Sequence, residues 1–168
     1  RILLVAPTGS GKTVMATITV LDALARGVRV LFVVDRDELV RQTEATLARS
    51  LPPGTAVGVI KAGYPETRGA RLQIASRQTM ERRDWWRGWM ADGNTLAIID
   101  EAHKTAFAKV IRTVVEGASQ VGAAITGAKL RILGLTATPW RLSRKEGLGD
   151  LFDSMVTAPT PAQLIEMG

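Results

Sequence analysis

The 168-residue sequence lacks cysteine and contains a single histidine, His103, and these two facts exclude whole classes of site. Without cysteine there can be neither a disulfide framework nor a thiolate metal site. One histidine cannot build a multi-histidine zinc site either. Zinc is therefore excluded as a bound metal.

Long hydrophobic runs are also missing. No apolar stretch approaches the ~18 residues of a membrane-spanning helix, and the apolar start at 1–6 is too short for a signal peptide. Hydrophobic residues make up 46% of the chain and charged residues 23%, which suits one soluble domain with a sizeable core. We expect a single domain over residues 1–168, no membrane partner and a cytoplasmic location.

Six short apolar runs are spread along the chain, and most are apolar at consecutive positions. This pattern is typical of strands that helices cover on both faces of a parallel sheet. The runs are 2–6, 28–34, 57–60, 72–75, 96–99 and 130–135. The spacing predicts helices over 13–26, from a cap at Asp35 to about residue 50, over 78–90 and over 107–116, with loops at 51–55, 63–69 and 117–127. The predicted fold class is α/β, with a mostly parallel sheet and helices on both faces.

Polar clusters directly follow five of these six runs. They occupy 7–13, 35–38, 76–79, 100–103 and 136–139. In an open parallel sheet, ligands bind beyond the carboxyl ends of the strands. We therefore expect the five clusters to converge on one edge of the sheet, which would be its active face.

The first cluster has the signature of a phosphate-binding loop, because it joins a strand to a helix and ends in Gly-Lys-Thr. It consists of Pro7, Thr8, Gly9, Ser10, Gly11, Lys12 and Thr13. Gly9 and Gly11 would let backbone N–H groups turn inward at the positive end of the helix. Lys12 would reach the β- and γ-phosphates, and the Thr13 hydroxyl would ligate Mg²⁺. Ala6 stands where the generic pattern has glycine.

The fourth cluster places two carboxylates after an apolar run. Asp100 at a strand end beside a phosphate-binding loop is suited to hold Mg²⁺, through water. Glu101 is then placed to orient or deprotonate an attacking water molecule. For His103, a purely structural role stays open beside a functional one.

Together these motifs resemble motifs I, II and III of superfamily 2 helicases and translocases, over nearly the whole chain. The resemblance is carried by the phosphate-binding loop, by Asp-Glu-Ala-His at 100–103, which is similar to the DEAH type, and by Thr-Ala-Thr at 136–138. Ala6 at the first motif position is common in that superfamily. The resemblance implies a RecA-like P-loop NTPase domain that binds ATP with Mg²⁺, and identifies the chain as the first of two motor domains.

The same resemblance implies roles for further residues. Thr136 and Thr138 would couple the nucleotide state to strand movement, and His103 would link the metal site to them. The segment 36–42 is similar to motif Ia and 74–79 to motif Ib. By that similarity, the nucleic-acid backbone would be touched by Arg36, Gln42, Ser76 and Arg77.

The resemblance also points beyond the chain. The run at 135–141 points to the DNA-acting branch that includes restriction-enzyme motor subunits. A linker beginning within 157–168 would lead to a second RecA-like domain, which would supply the arginine finger. Because such a finger can supply a rate factor of ~10³ or more, residues 1–168 alone should bind nucleotide better than they hydrolyse it.

The net charge of +6 is unevenly distributed. Residues 68–87 carry a net +4 and residues 129–145 a net +5, and both segments flank proposed nucleic-acid motifs. Lysine and arginine in such places can neutralise phosphates without reading bases. An ordinary solvated face is the alternative for each segment. Near the first segment, Trp85 and Trp89 are spaced to share a helix face, which favours packing over base stacking.

The sequence therefore predicts the ATP-binding domain of a nucleic-acid-dependent ATPase, a helicase or translocase, with DNA favoured over RNA. Hydrolysis of Mg-ATP would be coupled to strand movement. One alternative is a nucleotide-dependent nucleic-acid-binding switch without motor activity. Another is a metabolic P-loop kinase, for which no substrate pocket or lid is recognisable.

Overall fold

A seven-stranded sheet organises the described part of the protein. The computed structural model describes residues 1–104, 106–121, 129–138, 147–159 and 163. The strands are β1 (Ile2–Val5), β2 (Arg29–Val34), β3 (Val57–Ile60), β4 (Leu72–Ser76), β5 (Thr95–Ile99), β6 (Leu130–Thr136) and β7 (Ser154–Thr157). Every pairing is parallel, in the order β3-β4-β2-β5-β6-β1-β7.

Five helices connect these strands within the described ranges. They are α1 (Lys12–Ala25), α2 (Asp37–Ala48), α3 (Arg77–Met80), α4 (Trp85–Ala91) and α5 (Ala106–Val121), and a short 3₁₀ helix (Leu148–Asp150) precedes β7. The α/β fold class and all six predicted strands are confirmed, with ends shifted by at most one residue. In the part of the chain that the structure describes, no helix is long and apolar enough to cross a membrane.

The consecutive apolar positions arise because both faces of the sheet are covered. In β2, Val30, Phe32 and Val34 join a core cluster with residues of α1 and α2. Leu31 and Val33 point to the opposite face and join a second cluster with residues of α3, α4 and α5. A strand buried on both faces needs apolar residues throughout, which explains the sequence pattern.

Strand β7 was not predicted, and it changes the interpretation of the C-terminal segment. All four of its residues are exposed, although each pairs with β1. An edge strand with so little burial needs no continuous apolar run, so the sequence pattern does not indicate it. Thr157, the first residue of the predicted linker, ends this strand, and Ala158 donates its backbone N–H to the Val5 carbonyl. The sheet therefore extends through the start of that segment, and residues 160–162 and 164–168 lie outside the described residues.

The predicted helix over 78–90 is wrong as one element, because it forms two. The chain turns between α3 and α4, and the Trp86 indole N–H donates to the Met80 carbonyl at the end of α3. Trp86 and Trp89 are buried in the core, and Trp89 donates to the Ala70 carbonyl. Packing is therefore confirmed for Trp89, one of the two tryptophans for which the spacing predicts it, and Trp86 packs in the same core. Trp85 is half-buried beneath Arg68.

Two smaller predictions are corrected. The residue at the N-cap of α2 is Arg36, without a side-chain cap, so Asp35 does not begin that helix. The loop predicted at 117–127 begins later, because α5 continues to Val121. Residues 122–128 lie outside the described residues.

Gly134 in β6 provides a direct test of this packing. A Cβ added there would lie 2.4 Å from the Phe152 ring and 3.0 Å from the Ala102 Cβ. We expect Gly134→Ala to lower the free energy of unfolding by about 1–3 kcal/mol, because overpacking forces neighbours to move. The measurement is the midpoint of urea unfolding.

Gly88→Ala is the matched control. A Cβ on Gly88, within α4, meets nothing within 4 Å. Alanine is favoured over glycine inside a helix by up to ~1 kcal/mol, so this variant should be neutral or more stable. Equal midpoints for the two variants would contradict the packing described for β6.

Candidate nucleotide site

The parallel strands bring the predicted polar clusters to one edge of the sheet. Backbone hydrogen bonds continue past the strand ends: Asp100 N–H donates to the Val33 carbonyl at 3.0 Å, and Ala6 N–H donates to the Thr136 carbonyl at 2.8 Å. Side-chain contacts link the clusters at 7–13, 100–103 and 136–139, and they link the cluster at 35–38 to that at 76–79. Lys104, directly after the fourth cluster, joins the two groups by donating to Asp35. The predicted convergence is confirmed.

The loop after β1 has the backbone shape that its glycines suggest. Gly9 and Gly11 adopt φ values of 84° and 80°, in the left-handed region that favours glycine. The Ser10 backbone N–H and hydroxyl both donate to the Pro7 carbonyl, at 3.1 and 2.7 Å. A Cβ on either glycine would meet nothing within 4 Å. Backbone conformation, not crowding, is therefore what requires glycine here.

Lys12 at the start of α1 faces two carboxylates. Its Nζ lies 3.1 Å from Oε1 of Glu101 and 3.8 Å from Oδ1 of Asp100. Burial raises the pKa of Asp100, whereas the charge of Lys12 acts in the opposite direction. The site therefore holds one ammonium and two carboxylates at the ends of neighbouring elements. A bound anion would attract the ammonium and a bound cation the carboxylates, so ligands could replace the present ion pairs.

Glu101 has an unusual backbone conformation. Within the described ranges, Glu101 is the one residue other than glycine that has a positive φ, and its value is 53°. Left-handed backbone costs a side chain of this kind roughly 1–2 kcal/mol, so surrounding contacts must hold it. The Lys104 backbone N–H donates to the Glu101 carbonyl at 3.0 Å, and Ala102 N–H donates to the Leu135 carbonyl at 2.9 Å. These bonds fix the turn that carries Glu101.

His103 connects the acidic cluster to the end of β6. Its Nδ1 lies 2.8 Å from Oγ1 of Thr136 and 3.4 Å from Oε2 of Glu101. Thr136 is fully buried, and its Oγ1 also accepts from the Thr138 backbone N–H at 3.0 Å. A continuous path of contacts thus runs from Lys12 through Glu101 and His103 to Thr136.

The residues predicted to touch nucleic acid lie in different surroundings. Arg36 is exposed ahead of α2, whereas Gln42 lines a cleft between α1 and α2 beside Lys12. Ser76 is fully buried, main chain included, and its side chain caps α3 by accepting from the Thr79 backbone N–H, so in this structure it is not accessible to nucleic acid. Arg77 lies at the first position of α3.

Asp35 and Lys104 are residues whose part in the site the sequence did not indicate. Lys104 Nζ donates to Oδ2 of Asp35 at 2.8 Å, and Arg77 Nε donates to Oδ1 at 3.4 Å. Burial would raise the pKa of Asp35, but the hydrogen bonds and charges of Lys104 and Arg77 outweigh it and lower that pKa. The sequence signal that could have indicated this role is that Asp35 directly follows a buried strand. Its capping-box spacing to Glu38 instead led to its interpretation as a helix cap.

The basic segment at 68–87 is less available than its net charge suggests. Ion pairs with neighbouring carboxylates engage four of its six arginines: Arg68, Arg77, Arg83 and Arg87. Two of these pair with Glu66, which lies outside the segment. Much of this charge therefore serves local structure. The second basic segment, at 129–145, falls partly outside the described residues.

The donor set suits a phosphate ester with Mg²⁺. An ammonium and a helix N-terminus meet the loop, and Thr13 and Asp100 would supply oxygen ligands for the metal. Within the described ranges there is no group of three or more His, Cys, Asp or Glu side chains placed to hold a metal. Mg²⁺ commonly uses one or two carboxylates together with substrate phosphates and water, so the residues fit that ion.

Solved structures share this fold. The helicase domain of Hef from Pyrococcus furiosus matches with a TM-score of 0.68 and 24% identity, over 96% of this chain and 35% of that one. The UvsW helicase of bacteriophage T4 matches with a TM-score of 0.67 and 17% identity, over 94% and 54%. The yeast DEAD-box splicing factor Prp28 matches with a TM-score of 0.64 and 18% identity, over 95% and 42%. The chain therefore has the RecA-like α/β fold that these solved structures share.

The family is defined more narrowly by sequence. Residues 1–141 match the family described as "Type III restriction enzyme, res subunit", and the chain belongs to that family of helicase-type ATPase domains. A "51.5 kDa protein" of Lactococcus phage (isolate 7-9) is 30% identical over 159 residues, covering 95% of this chain. The chain spans 28% of that phage protein's length.

The contact between Thr136 and His103 can be tested by stability. Thr136→Val keeps the shape of the side chain but leaves the His103 ring nitrogen and the Thr138 N–H without this partner. We expect a loss of about 1–3 kcal/mol in the free energy of unfolding, measured by urea titration.

Thr138→Val serves as the comparison for Thr136→Val, since Thr138 enters this network through its backbone atoms. Its loss should stay within about 0.5 kcal/mol. If the two variants lost the same stability, the Thr136 hydroxyl would not be the group that holds the network.

Proposed function

We propose that the chain is the ATP-binding domain of a nucleic-acid-dependent ATPase of the helicase or translocase type. The observation that carries the proposal is the position of Lys12 at the head of α1, facing Asp100 and Glu101. Membership of the res subunit family supports the same reading.

The proposed role of Lys12 is to bind the β- and γ-phosphates. Its present partners are carboxylates, and a phosphate is a stronger attraction for an ammonium that is already partly buried. Gly9 and Gly11 would aim backbone N–H groups at the same anion. Pro7, Thr8 and Ser10 complete the proposed phosphate-binding loop.

Bound Mg²⁺ would neutralise charge on the phosphate oxygens, and Thr13 and Asp100 are the proposed groups that hold it. Glu101 is proposed to orient the attacking water molecule and to accept its proton. His103 contacts this carboxylate and Thr136, so a shift of Glu101 would move His103 and, through it, Thr136 and Thr138. These contacts support the proposed coupling between hydrolysis and movement along a strand.

DNA is the proposed nucleic acid. A restriction enzyme subunit gives the family its description, which favours DNA, although a hypothetical ATP-dependent RNA helicase from Sulfolobus tokodaii has a similar fold. Arg36, Gln42 and Arg77 are the proposed contacts to the nucleic-acid backbone, whereas Ser76 is buried. A second RecA-like domain, supplying an arginine finger, is proposed for the full-length protein.

Substitution of Lys12 tests the nucleotide assignment in the full-length protein. Lys12→Ala should weaken ATP binding and abolish DNA-stimulated hydrolysis, because the phosphate loses its ammonium partner. Lys109→Ala, at an exposed position of α5, is the matched control and should behave as wild type. Phosphate release is the measurement. Wild-type activity in Lys12→Ala would refute the motor assignment.

Substitution of Glu101 separates binding from hydrolysis. Glu101→Gln keeps the size of the side chain but cannot accept the water proton, so hydrolysis should fall about 10²-fold or more. ATP affinity, measured by titration with a fluorescent analogue, should remain within a few-fold of wild type. Unchanged hydrolysis in this variant would exclude Glu101 as the base. A wild-type protein that binds ATP without hydrolysing it would instead support the switch alternative.

A further inference from the structure

Asp35 joins two segments that the sequence motifs keep apart. It follows β2, and its side chain is only 14% exposed. One carboxylate oxygen accepts from Lys104, next to the turn that carries Glu101 and His103. The other accepts from Arg77, at the start of α3. A single side chain therefore bridges the hydrolytic turn and a proposed nucleic-acid contact.

The Lys104 end of this bridge acts on the position of Glu101. The Lys104 backbone N–H closes the turn onto the Glu101 carbonyl, and Glu101 is held at φ 53°. A residue kept in left-handed backbone depends on the contacts around it. Moving the Lys104 side chain therefore changes the support for the conformation that aims Glu101 at Lys12.

The Arg77 end of the bridge remains open to competition. Its guanidinium contacts Asp35 and Glu81, and its side chain is 20% exposed, while that of Lys104 is 40% exposed. Arginine has five N–H donors in a planar fork, and phosphate is a strong bidentate partner for it. A phosphate that reaches Arg77 or Lys104 competes directly with Asp35.

We propose that Asp35 is a positioning residue that transmits nucleic-acid contact at Arg77 to the Glu101–Lys104 turn. When a phosphate binds one of its two partners, Arg77 or Lys104, Asp35 loses that ion pair and shifts toward the other partner. This inference rests on the proposed function. It goes further by naming the side chain through which nucleic-acid binding alters hydrolysis. Asp35 itself touches neither nucleotide nor nucleic acid.

The test is Asp35→Asn in the full-length protein, with ATP hydrolysis measured with and without single-stranded DNA. The ratio of stimulated to basal rate should fall by about fivefold or more, which lies within the usual range of coupling between sites. The basal rate should fall less than the stimulated rate. DNA affinity without nucleotide should be unchanged or higher, since a carboxylate beside the phosphate contact is removed.

Glu38→Gln is the matched control, since it removes the same charge from an exposed position in the first turn of α2. It should leave the stimulation ratio at the wild-type value. Lys104→Met provides a second route to the same contact if Asp35→Asn folds poorly. The variant carrying both substitutions should be no worse than Asp35→Asn alone, because Asp35→Asn already removes the interaction with Lys104.

Each outcome decides between the two levels of proposal. Stimulation that persists in Asp35→Asn would overturn this inference and leave the proposed function standing. An equal fall in basal and stimulated rates would overturn it too, since that result means a structural role. A wild-type protein that DNA does not stimulate would overturn the proposed function, and this inference with it.

Discussion

Parallel pairing of β1, β5 and β6 is the constraint on which the site depends. Because the three strands run the same way side by side, the chain leaves all of them at one edge. Lys12, Glu101 and Thr136 are far apart in sequence, yet they meet there. Gly134 permits the close packing of β6 against Phe152 that keeps this arrangement compact.

Charge balance at this edge is the second organising feature. Lys12 is shared by Asp100 and Glu101, and Asp35 is shared by Lys104 and Arg77. Each shared group is partly shielded from water, so exchange of one partner for a ligand changes the electrostatics of the other. The turn from Glu101 to Lys104 contributes to both clusters, with Glu101 in the first and Lys104 in the second. This placement gives a physical basis for the proposed communication between nucleotide and nucleic acid.

Most of the sheet and the backbone shape of the loop after β1 could be predicted from sequence. Strands buried on both faces carry continuous apolar runs, and Gly-Lys-Thr has a spacing that few other structures need. Strand β7 was not predicted, because an exposed edge strand requires no continuous apolar run. The ion pairs of Asp35 could not be predicted, because its partners, Arg77 and Lys104, are 42 and 69 residues away in the sequence. Local spacing alone made it a helix cap.

The decisive measurement is the rate of ATP hydrolysis by the wild-type full-length protein, compared without nucleic acid, with RNA and with single-stranded DNA. We expect hydrolysis that requires Mg²⁺ and rises on adding DNA, with a smaller rise on adding RNA. Hydrolysis that no nucleic acid stimulates would contradict it. Phosphate transfer to a small acceptor, independent of nucleic acid, would contradict it as well and favour a kinase.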